Sequence, residues 1–170
     1  MQQHYVACLE LTGRNCVVVG EGRIAQEKVD SLAAAGAVVT RVAPDAYHAA
    51  QLDHAWLVVV ATGDDELNRR VSADASERRV FCNVADVPEL CSFILPAIHR
   101  QGPIAVAVST GGASPALAQW LRDRFASQVG FEHEQLAHEL RRIRPWVKQT
   151  FHTYEERRDY FRERVAEALR

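Results

Sequence analysis

The chain has 170 residues, of which 48% are apolar and 25% are charged, and its formal net charge at pH 7 is -2. This length allows one well-buried core, or one compact domain with a smaller helical extension, without the help of disulfides. The nearly balanced charge argues against a nucleic-acid partner, and no signal-like start or apolar run of about 18 residues predicts export or a membrane span. We therefore expect a soluble protein of the cytoplasm.

The cysteines and histidines show no disulfide framework and no metal site. The four cysteines include no C-x-x-C pair, and the seven histidines lack the i, i+4 pairing of helical metal ligands. Cys16 and Cys82 lie inside apolar runs, which favours buried, reduced thiols. Any metal is expected to be a substrate of the protein and not a resident ion.

The first half of the chain alternates short apolar runs with helical patterns. Asn15 to Val19 ends at Gly20, and the helical pattern that follows stops at Gly36. Further strands are predicted over 37–42, 56–61 and 80–84, with a second helix over 66–78. This alternation predicts an α/β fold with a Rossmann-like parallel sheet and right-handed crossovers.

The second half changes character. A fifth apolar run, Ile104 to Ser109, follows a Gly-Pro turn, and beyond it the sequence is helical from Pro115 onward. Pro145 and the segment 151–153 are expected to interrupt the charged helices near the end of the chain. A smaller region and a set of helices are thus predicted to follow the sheet.

A dinucleotide-binding pattern lies at the first strand-to-helix turn. It reads Gly20-Glu21-Gly22-Arg23-Ile24-Ala25 and fits G-x-G-x-x-A. The first glycine permits a tight turn, the second lets the backbone approach a pyrophosphate, and the alanine keeps the helix close to the sheet. The helix N-terminus offers N–H groups and a positive dipole to phosphates. The alternative is a glycine turn that binds no ligand.

The acidic residue that usually binds the adenosine ribose is missing. It is expected about 20 positions after the glycines, but the second strand ends Thr40-Arg41-Val42, and Asp45 comes only after Pro44. Arg41 either favours a 2′-phosphate, and hence NADP, or is a solvated strand residue. The sequence leaves this choice open.

Asp86 follows the fourth predicted strand, at the sheet edge where ligands bind in open α/β folds. A carboxylate there can accept a proton beside a nicotinamide, or remove N–H protons from a macrocycle before a metal enters. Capping of the next turn is the alternative. Asp86 is therefore the candidate catalytic residue.

A loop of small residues connects the fifth apolar run to a helix. It reads Ser109-Thr110-Gly111-Gly112-Ala113-Ser114-Pro115. Its backbone N–H groups, its hydroxyls and the helix dipole suit a substrate carboxylate. A plain loop in which Ser114 caps the helix is the alternative.

Together these motifs resemble the dehydrogenase and ferrochelatase module of siroheme synthase, over nearly the whole chain. The resemblance is carried by 9–14, 18–29, Ala61-Thr62, 68–71, Asn83-Val84-Ala85-Asp86, 93–97, 109–115, 140–148 and 155–158. It implies NAD-dependent oxidation of precorrin-2 to sirohydrochlorin, and in many members insertion of ferrous iron to give siroheme. It also implies a homodimer and a tetrapyrrole substrate, with iron as a substrate and not a bound cofactor.

The resemblance and the motifs give one assignment of domains and site residues. Residues 1–95 are expected to bind NAD, 96–126 to dimerise and carry the substrate loop, and 127–170 to be helical. Asp86 is assigned to catalysis, and NAD binding to Gly20, Glu21, Gly22, Arg23, Ile24, Ala25, Ala61 and Thr62. Substrate binding is assigned to Asn83, Thr110, Gly111, Gly112 and Ser114.

Three departures from the family pattern keep alternatives open. Glu21 replaces the middle residue of the usual triple glycine, the segment 44–55 is shorter than in family members, and we expect no methyltransferase domain after Arg170. The first two put cofactor binding in doubt. The alternatives are a dehydrogenase without chelatase activity and a non-catalytic protein that binds NAD(H) or a tetrapyrrole.

Overall fold

The computed structural model describes residues 4–170. The chain forms two compact units, one that ends at Leu95 and one that begins at Pro96. Across the described residues, every helix is too short or too polar to cross a membrane. Each unit has its own secondary structure and is taken by itself below.

The first unit is an α/β domain with a parallel sheet of order β2-β1-β3-β4. Its strands are β1 (Asn15–Val19), β2 (Val38–Val42), β3 (Leu57–Val60) and β4 (Phe81–Val84), and its helices are α1 (Arg23–Ala34) and α2 (Asp65–Glu77). The predicted Rossmann-like fold is therefore confirmed. In register, Val19 lies beside Val42 on β2 and Val60 on β3, so the carboxyl ends of these strands meet at one edge.

The central strands β1 and β3 are buried on both faces, as continuous runs of valine require, whereas the edge strand β2 is largely exposed. Val17 and Val19 point into one core cluster with residues of α2, and Cys16 and Val18 point into a second cluster with Ala25 of α1. Helix α2 starts at an N-cap, Asp64, whose carboxylate accepts from the N–H groups of its first turn. The sequence pattern thus sets both the strand faces and the helix starts.

The short segment between β2 and β3 packs as part of the core. It forms two 3-10 turns, Pro44–Ala46 and Ala49–Leu52, and both Tyr47 and Leu52 are buried. The Tyr47 hydroxyl donates to a carboxylate oxygen of Asp74 on α2, at 2.9 Å. Burial, together with this hydrogen bond, raises the pKa of Tyr47. The shorter connection therefore closes this side of the domain with its own buried contacts.

The second unit begins with an antiparallel hairpin and not with a continuation of the parallel sheet. Strands β5 (Ala97–Gln101) and β6 (Ile104–Val108) pair with each other and make a separate two-stranded sheet. Helix α3 (Pro115–Ala126) packs against both. The sequence predicted β6 but not β5, because 97–101 is short and carries His99, Arg100 and Gln101.

Two long helices complete the second unit, α4 (Phe131–Thr150) and α5 (Tyr154–Ala168). The expectation that Pro145 interrupts the helix is wrong, because α4 runs through it. Proline removes one backbone hydrogen bond from a helix. Val147 is fully buried nearby, and Trp146 packs edge-on against Phe151, so tertiary contacts hold the last turns in place.

Candidate functional site

A cleft of about 600 Å³ opens at the carboxyl ends of the parallel strands. We call it the strand-end cleft. Three loops build it, those that follow β1, β3 and β4. It is lined by Gly22, Arg23, Ile24, Ala61, Thr62, Gly63, Asp65, Asn68, Ala85, Asp86 and Val87. Six of these were predicted from sequence, and the fold brings the glycine turn and the Asp86 loop to one cavity.

Gly20 lies beneath the cleft and allows β1 and β3 to come close. Its φ is +145°, and its N–H donates to the carbonyl oxygen of Val42 at 2.9 Å. A Cβ at this position would lie 2.4 Å from the carbonyl oxygen of Ala61 and 3.2 Å from the Cβ of Ala25. Only glycine satisfies both the backbone angle and this contact. Gly20 and buried Ala25 thus shape the turn without lining the cleft.

Gly22 has a different role, because, apart from its two chain neighbours, none of the described residues has an atom within 4 Å of the position its Cβ would take. It is the N-cap of α1, no side chain caps this helix, and its first turn contains no acid. The helix N-terminus therefore presents N–H groups and a positive dipole toward the cleft. The free space at Gly22 fits the close approach of a dinucleotide pyrophosphate.

Arg41 holds the glycine turn from β2. Its guanidinium donates to the carbonyl oxygen of Gly20 at 3.0 Å, to the side-chain oxygen of Gln26 at 2.8 Å, and to the carbonyl oxygen of Glu21. The Glu21 side chain is exposed and does not line the cleft. Arg41 is therefore a positioning residue for the turn, a role that neither interpretation of the sequence included.

Two polar side chains organise the loop after β3. The Thr62 hydroxyl donates to the Asn68 side-chain oxygen at 2.8 Å and accepts from the Asp64 N–H at 3.0 Å. Asn68 is only 4% exposed, yet it lines the cleft. Neither Asn68 nor Asp65 was assigned to the site from sequence. The available signal was Asn68 itself, a polar residue among the apolar positions of α2 and within a segment that carries the family resemblance.

Asp86 lines the cleft in an unusual backbone conformation. Its φ is +62°, which is uncommon for a residue with a side chain and is often found where function maintains strain. The side chain is exposed. The turn that holds it is closed by the Val87 N–H, which donates to the Val84 carbonyl at 3.3 Å. The carboxylate is thus presented to the cavity by a fixed loop.

Asn83 supports this loop from below. It is 9% exposed and donates to the carbonyl oxygen of Phe93 at 3.0 Å. The Cys91 sulfur accepts from the Val84 N–H at 3.2 Å. Asn83 was assigned to substrate binding from sequence, but it does not line the strand-end cleft. The structure places it in the interior scaffold of the Asp86 loop.

Two buried thiols of the first unit, Cys16 and Cys82, should be unreactive in the folded protein. Burial, and secondarily Cys91, raises the pKa of Cys82 to about 11, and burial also raises the pKa of Cys16. Because the thiolate is the nucleophile, Cys82 should react with a disulfide reagent at pH 8 about 100-fold more slowly than exposed Cys8, and Cys16 should also react more slowly than Cys8. Mass spectrometry of timed samples measures this. Denatured protein, in which all four thiols should react alike, is the control, and rapid native labelling of Cys82 would contradict the prediction.

The small-residue loop of the second unit combines internal hydrogen bonds with exposed glycines. The Thr110 hydroxyl accepts from the Ser114 N–H and donates to the Ser114 carbonyl, both at 3.1 Å. The Ser114 hydroxyl accepts from the Leu117 N–H at 3.2 Å and so caps α3. Gly111 and Gly112 are exposed with positive φ values. Two predicted substrate residues are therefore engaged in the loop itself, and the two glycines remain open to a ligand.

The sheet, the glycine turn and the strand-end cleft define a Rossmann-type dinucleotide-binding protein. Residues 7–97, over half of the chain, match the family described as "Putative NAD(P)-binding", and residues 101–128 match "Sirohaem biosynthesis protein central". The chain belongs to this NAD(P)-binding family, with the sirohaem biosynthesis segment beside it. The resemblance to the siroheme synthase module is thereby confirmed, as is the prediction of a nicotinamide dinucleotide as cofactor.

The curated relatives of this chain are named siroheme synthase. The siroheme synthase of Methylobacillus flagellatus is 41% identical over 90% of this chain and 37% of its own length, and that of Escherichia coli O139:H28 is 36% identical over 98% and 42%. The chain thus spans about two fifths of these relatives. A solved structure named "SirC, precorrin-2 dehydrogenase" superimposes with a TM-score of 0.72 at 24% identity, and the match covers 94% of this chain and 88% of that one. This likeness shows that the fold is shared.

Proposed function

We propose that the chain oxidises precorrin-2 to sirohydrochlorin with NAD as the acceptor, as part of siroheme biosynthesis. One observation carries the proposal. The carboxylate of Asp86, presented by a loop in a strained conformation, lines the same cavity as the uncapped N-terminus of α1 at Gly22. The family match and the names of the relatives support this choice of substrate.

The roles of the residues follow from their placement. The oxidation removes a hydride and a proton from the substrate, and NAD supplies the hydride acceptor when it is bound. The N–H groups of Arg23 and Ile24 would hold the pyrophosphate beside Gly22. Thr62 and Asn68 would position the nicotinamide end. Asp86 would accept the proton, and the fixed loop keeps its carboxylate in place for this step.

Asp86 also favours a second activity, the insertion of ferrous iron into sirohydrochlorin. Metal insertion must displace two N–H protons from the macrocycle, and an exposed carboxylate is a suitable acceptor for them. The iron is a substrate in this reaction. We propose chelation as a second step of the same chain, and dehydrogenation alone is the competing possibility.

The second unit would supply substrate contacts and the dimer interface. Its loop offers the backbone N–H groups of Gly111 and Gly112 to a substrate carboxylate. Helix α3 exposes Leu117 (48%), Trp120 (58%) and Phe125 (45%), more large apolar surface than one helix of a monomer usually leaves uncovered. The two-stranded sheet of β5 and β6 also has no strand partner at either edge among residues 4–170. We propose that a second copy of this unit covers these surfaces, and that the region 96–126 forms the interface.

The proposed reactions are tested by an anaerobic absorbance assay of the purified chain with precorrin-2. Sirohydrochlorin should form only when NAD is present, and siroheme should follow when ferrous iron is added. Oxidation without formation of siroheme would indicate a dehydrogenase that lacks chelatase activity. Binding of NADH and tetrapyrrole with no oxidation, with either NAD or NADP, would refute the enzymatic proposal in favour of a binding protein. Sedimentation of the same sample tests the dimer.

Replacement of Arg41 by alanine should weaken NAD and NADP binding equally, by about fivefold. The guanidinium is held by the glycine turn and Gln26, so its loss should loosen the turn for both cofactors. Fluorescence titration with NADH and NADPH measures this effect. Arg69→Ala, an exposed change on α2, is the control. A loss confined to NADPH would instead show that Arg41 binds a 2′-phosphate.

A further inference from the structure

The second unit contains a cleft of about 550 Å³ between α4 and α5, made of residues other than those of the strand-end cleft. We call it the α4/α5 cleft. The two helices carry eight acidic and eight basic side chains. None of the acidic side chains lines the cleft, whereas five of the basic ones do, namely Arg144, Lys148, Arg157, Arg158 and Arg162. Such sorting of charge is not expected for an ordinary solvated helix pair, which mixes both signs on its surface.

The basic side chains form two rows with the correct spacing to face one ligand. Arg144 and Lys148 lie one turn apart on α4, and Arg158 and Arg162 lie one turn apart on α5. Arg158 pairs with Asp159 at 2.8 Å, and Arg162 lies 3.8 Å from the same carboxylate. Within the described residues of this unit, Arg144 and Lys148 have no carboxylate at ion-pair distance. These two cations are thus available for an anion from outside.

Arg157 is held in place by the chain itself. Its guanidinium donates to the carbonyl oxygens of Phe151 and His152, at 3.0 and 3.2 Å, in the turn between the helices. Trp146 and Tyr160 pack there with ring centroids 5.8 Å apart, which fixes the crossing of α4 and α5. The cleft therefore has a rigid end and does not depend on flexible side chains alone.

Apolar and aromatic groups complete the cleft between the cations. Tyr154 and Phe161 offer ring surface, and Val165 and Ala166 add aliphatic surface. Tyr154 is 67% exposed and Val165 is 37% exposed, so this apolar surface is not used to pack the two helices together. A cleft with an apolar floor and a cationic rim fits a ligand that is flat and apolar in the middle and carboxylated at its edge.

We propose that the α4/α5 cleft binds a polycarboxylated tetrapyrrole, as a second site for the substrate or product of the reaction proposed above. The choice of macrocycle rests on that proposed function. The cationic rim would pair with the peripheral carboxylates while the rings of Tyr154 and Phe161 stack on the macrocycle. Nucleic acid fits less well, because the chain as a whole carries a net charge of -2.

Uroporphyrin I, an octacarboxylated macrocycle, is the probe for this site. It is titrated into the full chain and followed by its own fluorescence. The variant Arg144→Gln with Lys148→Gln should bind it about tenfold more weakly, because two charge-assisted contacts are removed. The control Arg141→Gln with Arg142→Gln removes two charges from exposed positions of the same helix outside the cleft. It should change the affinity by less than about twofold.

The apolar floor is tested by Val165→Glu, which places a carboxylate at an exposed position within the cleft and leaves the rim cations intact. We expect a loss of uroporphyrin affinity similar to that of the cleft variant. Equal losses in the cleft variant and the control variant would indicate nonspecific attraction and overturn the proposal. No loss in the cleft variant or in Val165→Glu would also overturn it, as would tighter binding of a DNA duplex through Arg144 and Lys148.

The outcome can be separated from that of the proposed function. NADH binding and thermal stability are measured on the same variants, and both should stay at the parental values. A chain that does not oxidise precorrin-2 but loses uroporphyrin binding only in the cleft variants would keep the α4/α5 site and refute the enzyme. A chain that oxidises precorrin-2 but binds uroporphyrin equally well in all variants would keep the proposed enzymatic function and refute the α4/α5 site.

Discussion

Replacement of Asp86 by asparagine should lower kcat for NAD-dependent oxidation of precorrin-2 by about 10²- to 10³-fold. The carboxylate is the proposed proton acceptor, and an amide cannot take its place. Asparagine is chosen because it tolerates the positive φ of this position (+62°) better than alanine does. The loop should therefore keep its shape, and NADH affinity and the melting temperature should be unchanged.

A matched control is available on the same loop. Glu89 is exposed, lies in the 3-10 turn Pro88–Leu90, and does not line the strand-end cleft. Glu89→Gln also removes one negative charge from this loop, but outside the cleft. It should leave kcat within about twofold of the parent, since an exposed charge away from the site has little effect. A full-rate Asp86→Asn enzyme would remove Asp86 from oxidation. Iron insertion measured on the same variant decides whether chelation uses this residue.

Two glycines of one turn should differ in how alanine affects the stability of the fold. Gly20→Ala should destabilise the fold by about 3 kcal/mol, because the new Cβ combines an unfavourable φ with overpacking against the backbone. The φ is +145°, and the Cβ would lie 2.4 Å from the Ala61 carbonyl oxygen. Thermal or urea unfolding measures this loss. NADH affinity should fall with it, because β1 and β3 can no longer approach.

Gly22→Ala is the matched change two residues later. Apart from its two chain neighbours, no residue that the structure describes has an atom within 4 Å of its new Cβ, so stability should stay within about 1 kcal/mol of the parent. NADH binding should nevertheless weaken about tenfold or more, because the methyl group occupies the space into which a pyrophosphate must fit. Normal cofactor affinity in Gly22→Ala would mean that the dinucleotide does not cross this turn. Normal stability in Gly20→Ala would show that the turn adjusts freely.

Much of the first unit could be predicted from sequence, because its signals are local. The valine run that ends at Gly20 defines a buried strand, Gly36 marks the end of the helical pattern of α1, and Asp64 marks the start of α2. The elements so defined can join in few ways once right-handed crossovers are required. The strand-end cleft follows, since the ends of parallel strands lie together. Its predicted members Gly22, Thr62 and Asp86 do meet there.

The rest of the site depends on contacts between distant residues. Arg41 is 21 positions from Gly20 along the chain, and only the pairing of β1 with β2 brings its guanidinium onto the glycine turn. Asn68 enters the cleft because the rotation of α2 turns it inward. Asn83 lies outside the cleft because β4 directs its side chain to the Phe93 carbonyl oxygen. A sequence pattern gives the chemistry of such side chains but not their direction.

Local signals were sufficient to predict the Rossmann-like sheet, the glycine turn and the place of Asp86 after β4, because hydrophobic period, glycine conformation and helix capping act over a few residues. Three features emerged only in the folded chain: β5 and β6 form a hairpin of their own, α4 continues through Pro145, and five cations line the α4/α5 cleft. Local sequence signals do not predict strand pairing and helix crossing, because the free energy of these contacts comes from surfaces that meet only after the chain has folded.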